Sequence, residues 1–216
     1  RFLKFFESLF TTSEANEYEV STELAVFYNE VLSTLEKYSQ LLNTGINDAD
    51  RKSITDELGL AGSRYRTNIY DHSFSGSKES VNSSELAKFT TLALDFMEHS
   101  IRSNKREDGL YHAYNLISYN NAAIKITRLS EMLEGQVAVL SSGFLSATES
   151  IELLDALEQS KLYREDQQSY LLYPDKALPA FLEKNTMPES SISGSSLLKQ
   201  LIAADNRQVI EKDIIF

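Results

Sequence analysis

The sequence predicts an all-α fold of stacked helical hairpins. Three observations carry this. Apolar residues recur at spacings of three and four over long stretches, the period of an amphipathic helix. Only 8 Gly and 3 Pro interrupt 216 residues, too few for a turn-dense all-β chain. A composition of 42% hydrophobic and 25% charged residues suits a globular chain with a sizeable core. It is too apolar for disorder and too charged for a membrane bundle.

The clearest helix runs from Ser21 to Leu42, with Leu24, Phe27, Val31, Leu35, Tyr38 and Leu42 on one stripe. Ser21 or Thr22 caps its start and Asn43-Thr44-Gly45 ends it. A second helix spans Asn47 to Leu58, stopped by Gly59 and Gly62. Residues 62–83 show no sustained period and read as an irregular loop rich in Ser and aromatics. A loop longer than about 15 residues usually has a function. Ser84 to Ile101 is a further helix, lined by Leu86, Phe89, Ala93, Phe96, Met97 and Ile101, with Asn82 or Ser84 as cap.

Tyr111 to Tyr119 fits strand or helix equally, and Ala122 to Leu133 reads as helix. Ser146-Ala-Thr-Glu149 is a capping box opening a helix to about Ser160, with Ile151, Leu154 and Leu157 inward. Short helices follow at Ala180–Lys184, Leu197–Ala204 and Arg207–Lys212, with a Ser-rich connector over Ser190–Ser196. The whole reads as one helical domain over residues 1–216. Arg1 in place of Met and the apolar end Asp213–Phe216 suggest a piece of a longer chain.

The formal charge is −11, and a duplex-binding protein normally carries a basic patch, so nucleic acid is not an expected partner. Residues 61–128 hold the one basic excess, 9 basic against 7 acidic, and are where an anion would dock. No apolar run long enough to span a bilayer occurs, and the opening segment makes a poor signal peptide. A cytoplasmic location without membrane contact is therefore expected. With no Cys, a thiolate metal site and a cysteine nucleophile are excluded. His72, His99 and His112 are scattered, and Asn47-Asp48-Ala49-Asp50 lacks the Gly and Glu of a calcium loop. No metal or cofactor site is expected.

Arg64, Arg66 and Lys78 surround Gly76-Ser77, whose backbone amides could accept an anion; equally, they form a solvated loop paired to Asp71 and Glu79. Asp108-Gly-Leu-Tyr-His-Ala-Tyr-Asn115 gathers Tyr111, His112, Tyr114 and Asn115. A pyranose packs its C–H face on an aromatic ring and needs fixed partners for its hydroxyls, which these residues supply. Half-buried core tyrosines would give the same pattern. Glu131 and Glu134, three apart, could share a helix face as paired carboxylates, and Asp108 is a third candidate acid.

The runs DGLYHAYNLIS and EMLEGQVAVLSSGFLSATESIELLDALEQSKLYREDQQSYLLYPDKALPAFLEKN resemble a segment of large, mostly uncharacterised bacterial proteins. Those proteins look related to glycoside phosphorylases and six-hairpin glycosidases. The resemblance covers about residues 107–212. It implies a helical region, part of an (α/α) barrel or toroid, within a larger carbohydrate-processing chain. A closed barrel needs more helices than the nine or ten read here. The Asp of that family's aromatic-rich catalytic loop has no counterpart, so no catalytic residue is carried over.

Two readings stand. In one, this is a helical domain of a carbohydrate-processing protein, itself non-catalytic, touching sugar or phosphate and the other domains of its chain. In the other, it is an interaction scaffold with no sugar-related role.

Overall fold

The computed structural model describes residues 1–211, and Lys212–Phe216, including the end of the last expected helix, lie outside the described residues. The all-α expectation is corrected: the chain is 57% helical, with 12% of it in three small two-stranded antiparallel sheets. The chain divides into two compact units, residues 1–175 and 176–216.

The first unit opens with α1 (Phe2–Thr12), β1 (Glu17–Ser21) and α2 (Thr22–Tyr38). A short α3 (Leu41–Thr44), the long α4 (Asp48–His72), β2 (Lys78–Asn82) and α5 (Ser83–Ser103) follow. Helix α1 packs on α5, and α2 on α4. β1 and β2 pair from Glu17↔Asn82 to Ser21↔Lys78, so one ladder ties together the starts of α2 and α5. Both caps come from its last residues: Ser21 accepts from the Leu24 amide at 3.3 Å and Asn82 from the Ser84 amide at 2.8 Å. In β1, Tyr18 and Val20 are half-buried while Glu17 and Glu19 face water, the period-two alternation of a half-buried strand.

The irregular loop expected at 62–83 is also corrected. Residues 62–72 continue α4, and residues 78–82 are β2. A glycine inside a helix costs only about 1 kcal/mol, so Gly59 and Gly62 do not stop α4. Tertiary packing holds the extension. Ile54 and Ala61 are buried, and the Tyr65 ring stacks on Phe27 of α2 at 5.0 Å. Asn47 caps α4, accepting from Ala49 and Asp50 amides at 2.9 Å each.

After α5 comes a hairpin, β3 (Asn115–Tyr119) and β4 (Ile124–Arg128), where a helix was expected from Ala122. The Asn120 side chain closes its turn by accepting from the Ala122 and Ala123 amides. Its far end is docked on α4: Ile124 is buried, and Arg51 donates to the Ile124 carbonyl at 2.8 Å. The unit ends with α6 (Leu133–Ser142), α7 (Ala147–Glu158), and the small strands β5 (Tyr163–Arg164) and β6 (Ser169–Tyr170). The capping box on α7 is formed: the Glu149 amide donates to Ser146 Oγ, and Glu149 accepts from the Ser146 amide. The inward face of α7 is Leu153 and Leu157, whereas Ile151 and Leu154 are exposed.

The main apolar core lies here. Leu110, Tyr111, Val139, Leu153, Leu157 and Leu162 form one buried cluster, edged by Ile101, Leu133, Leu140, Leu145 and Ala156. The second unit holds α8 (Phe181–Asn185), α9 (Glu189–Ser193) and α10 (Ser196–Ala203). The Ser-rich connector of the sequence reading thus contains α9, and residues 207–211 are not helical.

Candidate functional site

The segment joining α5 to β3 carries most of the candidate residues. It leaves α5 through a tight turn: Arg106 N–H donates to the Leu110 carbonyl at 2.8 Å, and Gly109 adopts a φ of +84°. Asp-Gly is the sequence signal for such a turn, because glycine enters the left-handed region without a steric penalty. A Cβ at Gly109 would come within 3.1 Å of Ala156 Cβ, so the turn lies close against α7.

Beyond the turn, Leu110 and Tyr111 enter the core, where Tyr111 keeps only 3% of its surface exposed. Gln136 of α6 is fully buried and clamps the Tyr111 backbone from both sides. Its Oε1 accepts from the Tyr111 amide at 2.8 Å. Its Nε2 donates to the carbonyls of Tyr111 at 2.8 Å and Met132 at 2.9 Å. Tyr111 is therefore a core residue rather than a ligand contact. Gln136 went unnoticed in the sequence, where a lone Gln on a helix carries no signal of burial.

A groove of about 760 Å³ runs between the 106–110 turn, Glu131 and the end of α7, lined also by Glu152, Asp155, Gln159 and Lys161. At its edge the Arg106 guanidinium grips Asp108, with Nη2 at 2.7 Å and Nε at 3.0 Å from its two carboxylate oxygens. It also reaches Glu131 at 3.3 Å. This ion pair holds the Asp108 carboxyl below the usual carboxylate range, so Asp108 is a poor proton donor at neutral pH.

Glu131 and Glu134 do not act as a pair. Helix α6 begins only at Leu133, so Glu131 precedes it and turns to Arg106. Glu134 lies on the exposed first turn, near the Tyr114 phenol. The Glu134 charge first, then its polar contact with the phenol, push the Tyr114 hydroxyl up from its ordinary value, with the Tyr173 phenol adding to the shift. Tyr114 is 60% exposed and Tyr173 51%, and both phenols lie within electrostatic reach of one another beside Glu134. Tyr173 was not singled out in the sequence.

His112 and Asn115 point elsewhere. The Asn115 amide donates to Asn104 Oδ1 at 3.1 Å, and its own Oδ1 is buried without a protein partner. His112 Nδ1 is likewise buried and unpartnered. Burial first, then the charges of Arg106 and Arg128, press the His112 pKa below its ordinary value, while the Leu129 carbonyl and Asp108 oppose them. The fold thus favours neutral imidazole. Its contribution to stability is complete above the unfolded pKa near about 6.5 and is lost as pH falls from there through the lower folded value. Urea midpoints should therefore drop more for the native protein than for His112→Asn between about pH 7.5 and about pH 5.5. Equal pH dependence in the two would refute this.

The basic candidates are dispersed. Arg64 lies two residues from Arg66, so the two leave opposite sides of α4. Arg64 pairs with Glu30 of α2 at 3.0 Å, Arg66 bonds Ser63, and Lys78 in β2 faces Glu19 at 3.7 Å. About 12 Å of helix separates Arg64 from the end of α4.

Residues 178–215 match the family model of the GH149 phosphorylase insertion domain 2. No curated protein matches the chain. The match makes that segment similar to an insertion domain of a glycoside phosphorylase. It falls outside the segment holding Tyr114 and Glu134. Among the described residues no group of three or more His, Asp and Glu is placed to hold a metal ion, and no helix is long and apolar enough to cross a membrane.

Proposed function

We propose that this chain is a non-catalytic region of a larger carbohydrate phosphorylase, and that it contacts sugar through Tyr114, Tyr173 and Glu134. The observation that carries the first part is the match of residues 178–215 to an insertion domain of GH149 phosphorylase. Phosphorolysis of a glycosidic bond uses phosphate as nucleophile and an acid to protonate the leaving oxygen. Asp108, one of four carboxyls lining the groove, is kept ionised by Arg106 and is poorly suited to that proton transfer. On this reading the acid and the phosphate site belong to other domains.

Exposed Tyr rings beside a carboxylate fit a sugar: the ring takes the C–H face and the carboxylate accepts from hydroxyls. His112 and Asn115 shape the segment from beneath. The competing reading, a scaffold with no sugar-related role, draws on the exposed Phe2, Phe5 and Leu9 of α1.

Calorimetric titration with a panel of oligosaccharides separates the two. Tyr114→Ala is expected to weaken binding about tenfold, the equivalent of about 1.4 kcal/mol, consistent with loss of one ring face. Glu134→Gln should weaken it less. Identical isotherms for Tyr114→Ala and the native protein would reject the sugar surface.

A further inference from the structure

The two edges of the β3–β4 hairpin differ. The Asn120 amide donates to the Ala123 carbonyl at 3.1 Å, so these two residues form a hydrogen-bonded pair at the turn. Such pairs recur at every second residue of an antiparallel ladder. With the observed register, Ser118–Lys125 and Leu116–Thr127 are the next ones. The N–H and C=O groups of Asn115, Ile117 and Tyr119 therefore point away from β4. The same parity turns the Ile124 carbonyl outward on β4, where Arg51 of α4 bonds it. Among the described residues no such partner meets the β3 backbone, and residues 116–119 are all exposed. Open edges are normally guarded by charge or proline. β1 carries Glu17 and Glu19, β2 Lys78 and Glu79, and β4 Lys125 and Arg128. β3 reads Asn-Leu-Ile-Ser-Tyr and has no such guard.

We propose that β3 pairs antiparallel with β3 of a second copy of this chain, about a two-fold axis at Ile117. The outward backbone groups select this occupant, because they are symmetric about that residue. Ile117 faces Ile117 of the second copy, Asn115 faces its Tyr119, and each pair exchanges two hydrogen bonds. Two β-branched side chains directly opposite are a favourable cross-strand pair, and an uncharged strand sets no like charges face to face. Residues 115–128 hold no acidic side chain, so the net charge of −11 is carried elsewhere on the chain, and physiological salt screens it beyond about 8 Å. Two five-residue edges cover less than the about 1,600 Å² of a standard interface, so the dimer is weak and depends on concentration.

The test is disulfide trapping in the full-length chain, with Ile117→Cys and, separately, Ser118→Cys. Both positions are exposed, and residues 1–216 contain no Cys. Paired residues of this kind lie about 5.5 Å apart between Cα atoms, within the span of a disulfide. Mild oxidation of Ile117→Cys should give a dimer in which mass spectrometry finds position 117 linked to position 117. Ser118→Cys faces Leu116 of the second copy and should crosslink to itself at least tenfold less. No link from position 117, or equal yields from the two variants, would overturn the proposal. Hydrogen exchange on the unmodified chain, with sedimentation to report its mass, guards against misfolded variants. The amides of Asn115, Ile117 and Tyr119 should slow at least tenfold between about 5 and about 500 μM protein, as mass action requires. Fast exchange at every concentration defeats the pairing. Slow exchange in a monomer defeats it too, because another part of the same chain then covers the edge.

Discussion

Gln136→Leu is expected to lower the unfolding free energy by about 3–5 kcal/mol, the range for breaking a buried hydrogen-bond network. Leu fills a similar volume, so little of the loss comes from a cavity. The damage lies in the partners. The Tyr111 amide and carbonyl sit in the core among Leu110, Val139 and Leu153, and Gln136 meets both of them. Each buried group left unpaired costs about 1–3 kcal/mol. Gln136→Glu distinguishes this from mere packing. It keeps an acceptor for the Tyr111 amide but replaces the donor with a carboxylate oxygen set against two carbonyls, so it should be as harmful at neutral pH and partly relieved in acid. Urea unfolding followed by circular dichroism measures both, since the chain has no Trp. A change within 1 kcal/mol for Gln136→Leu would mean that the 110–112 segment is not part of the cooperative core.

The clamp also marks where the sequence stopped being informative. Caps are legible because they are local: Asn82 and Ser146 each bond an amide two or three residues on. Strands are less so. Ile124-Lys-Ile-Thr-Arg128 alternates with period two and is rich in β-branched residues, but the preceding Asn-Ala-Ala extends a helical pattern into it. The β1–β2 ladder joins residues 57 to 65 apart, and each five-residue strand is too short to stand out alone. The Gly59 and Gly62 punctuation misled in the opposite sense, because the Phe27–Tyr65 stack that holds α4 together comes from a distant helix.

The candidate site divides the same way. The stretch Asp108–Asn115 gathers polar and aromatic groups, but its sequence does not say which side chains face inward. One turn sends Tyr111 into the core, and three residues later Tyr114 is in water. Pairing Glu131 with Glu134 assumed a helix through both, and the helix starts between them. Arg106, which decides the charge state of Asp108, is two residues away in sequence and looks like any surface arginine until the turn brings the two together.

Gly135→Ala is expected to destabilise the protein by about 1–3 kcal/mol through overpacking, reversing the usual sign of a glycine-to-alanine change in a helix. A Cβ there would lie 2.8 Å from Ala113 Cβ and 3.3 Å from Ala113 Cα, and neither partner has a torsion with which to retreat. Gly59→Ala provides the control. Nothing lies within 4 Å of its Cβ position and its φ is ordinary, so it should stabilise by about 0.5–1 kcal/mol. Adding Ala113→Gly to Gly135→Ala should recover stability beyond the sum of the single changes, since contacting residues couple. The same contact bears on function. Ala113 and Gly135 are the immediate neighbours of Tyr114 and Glu134, so their close approach sets the phenol beside the carboxylate. Gly135→Ala should therefore weaken oligosaccharide binding along with stability, whereas Gly59→Ala should leave binding unchanged. If the two variants shift the urea midpoint alike, α6 does not lie against residues 111–113 as closely as described, and the sugar surface built on that contact fails with it.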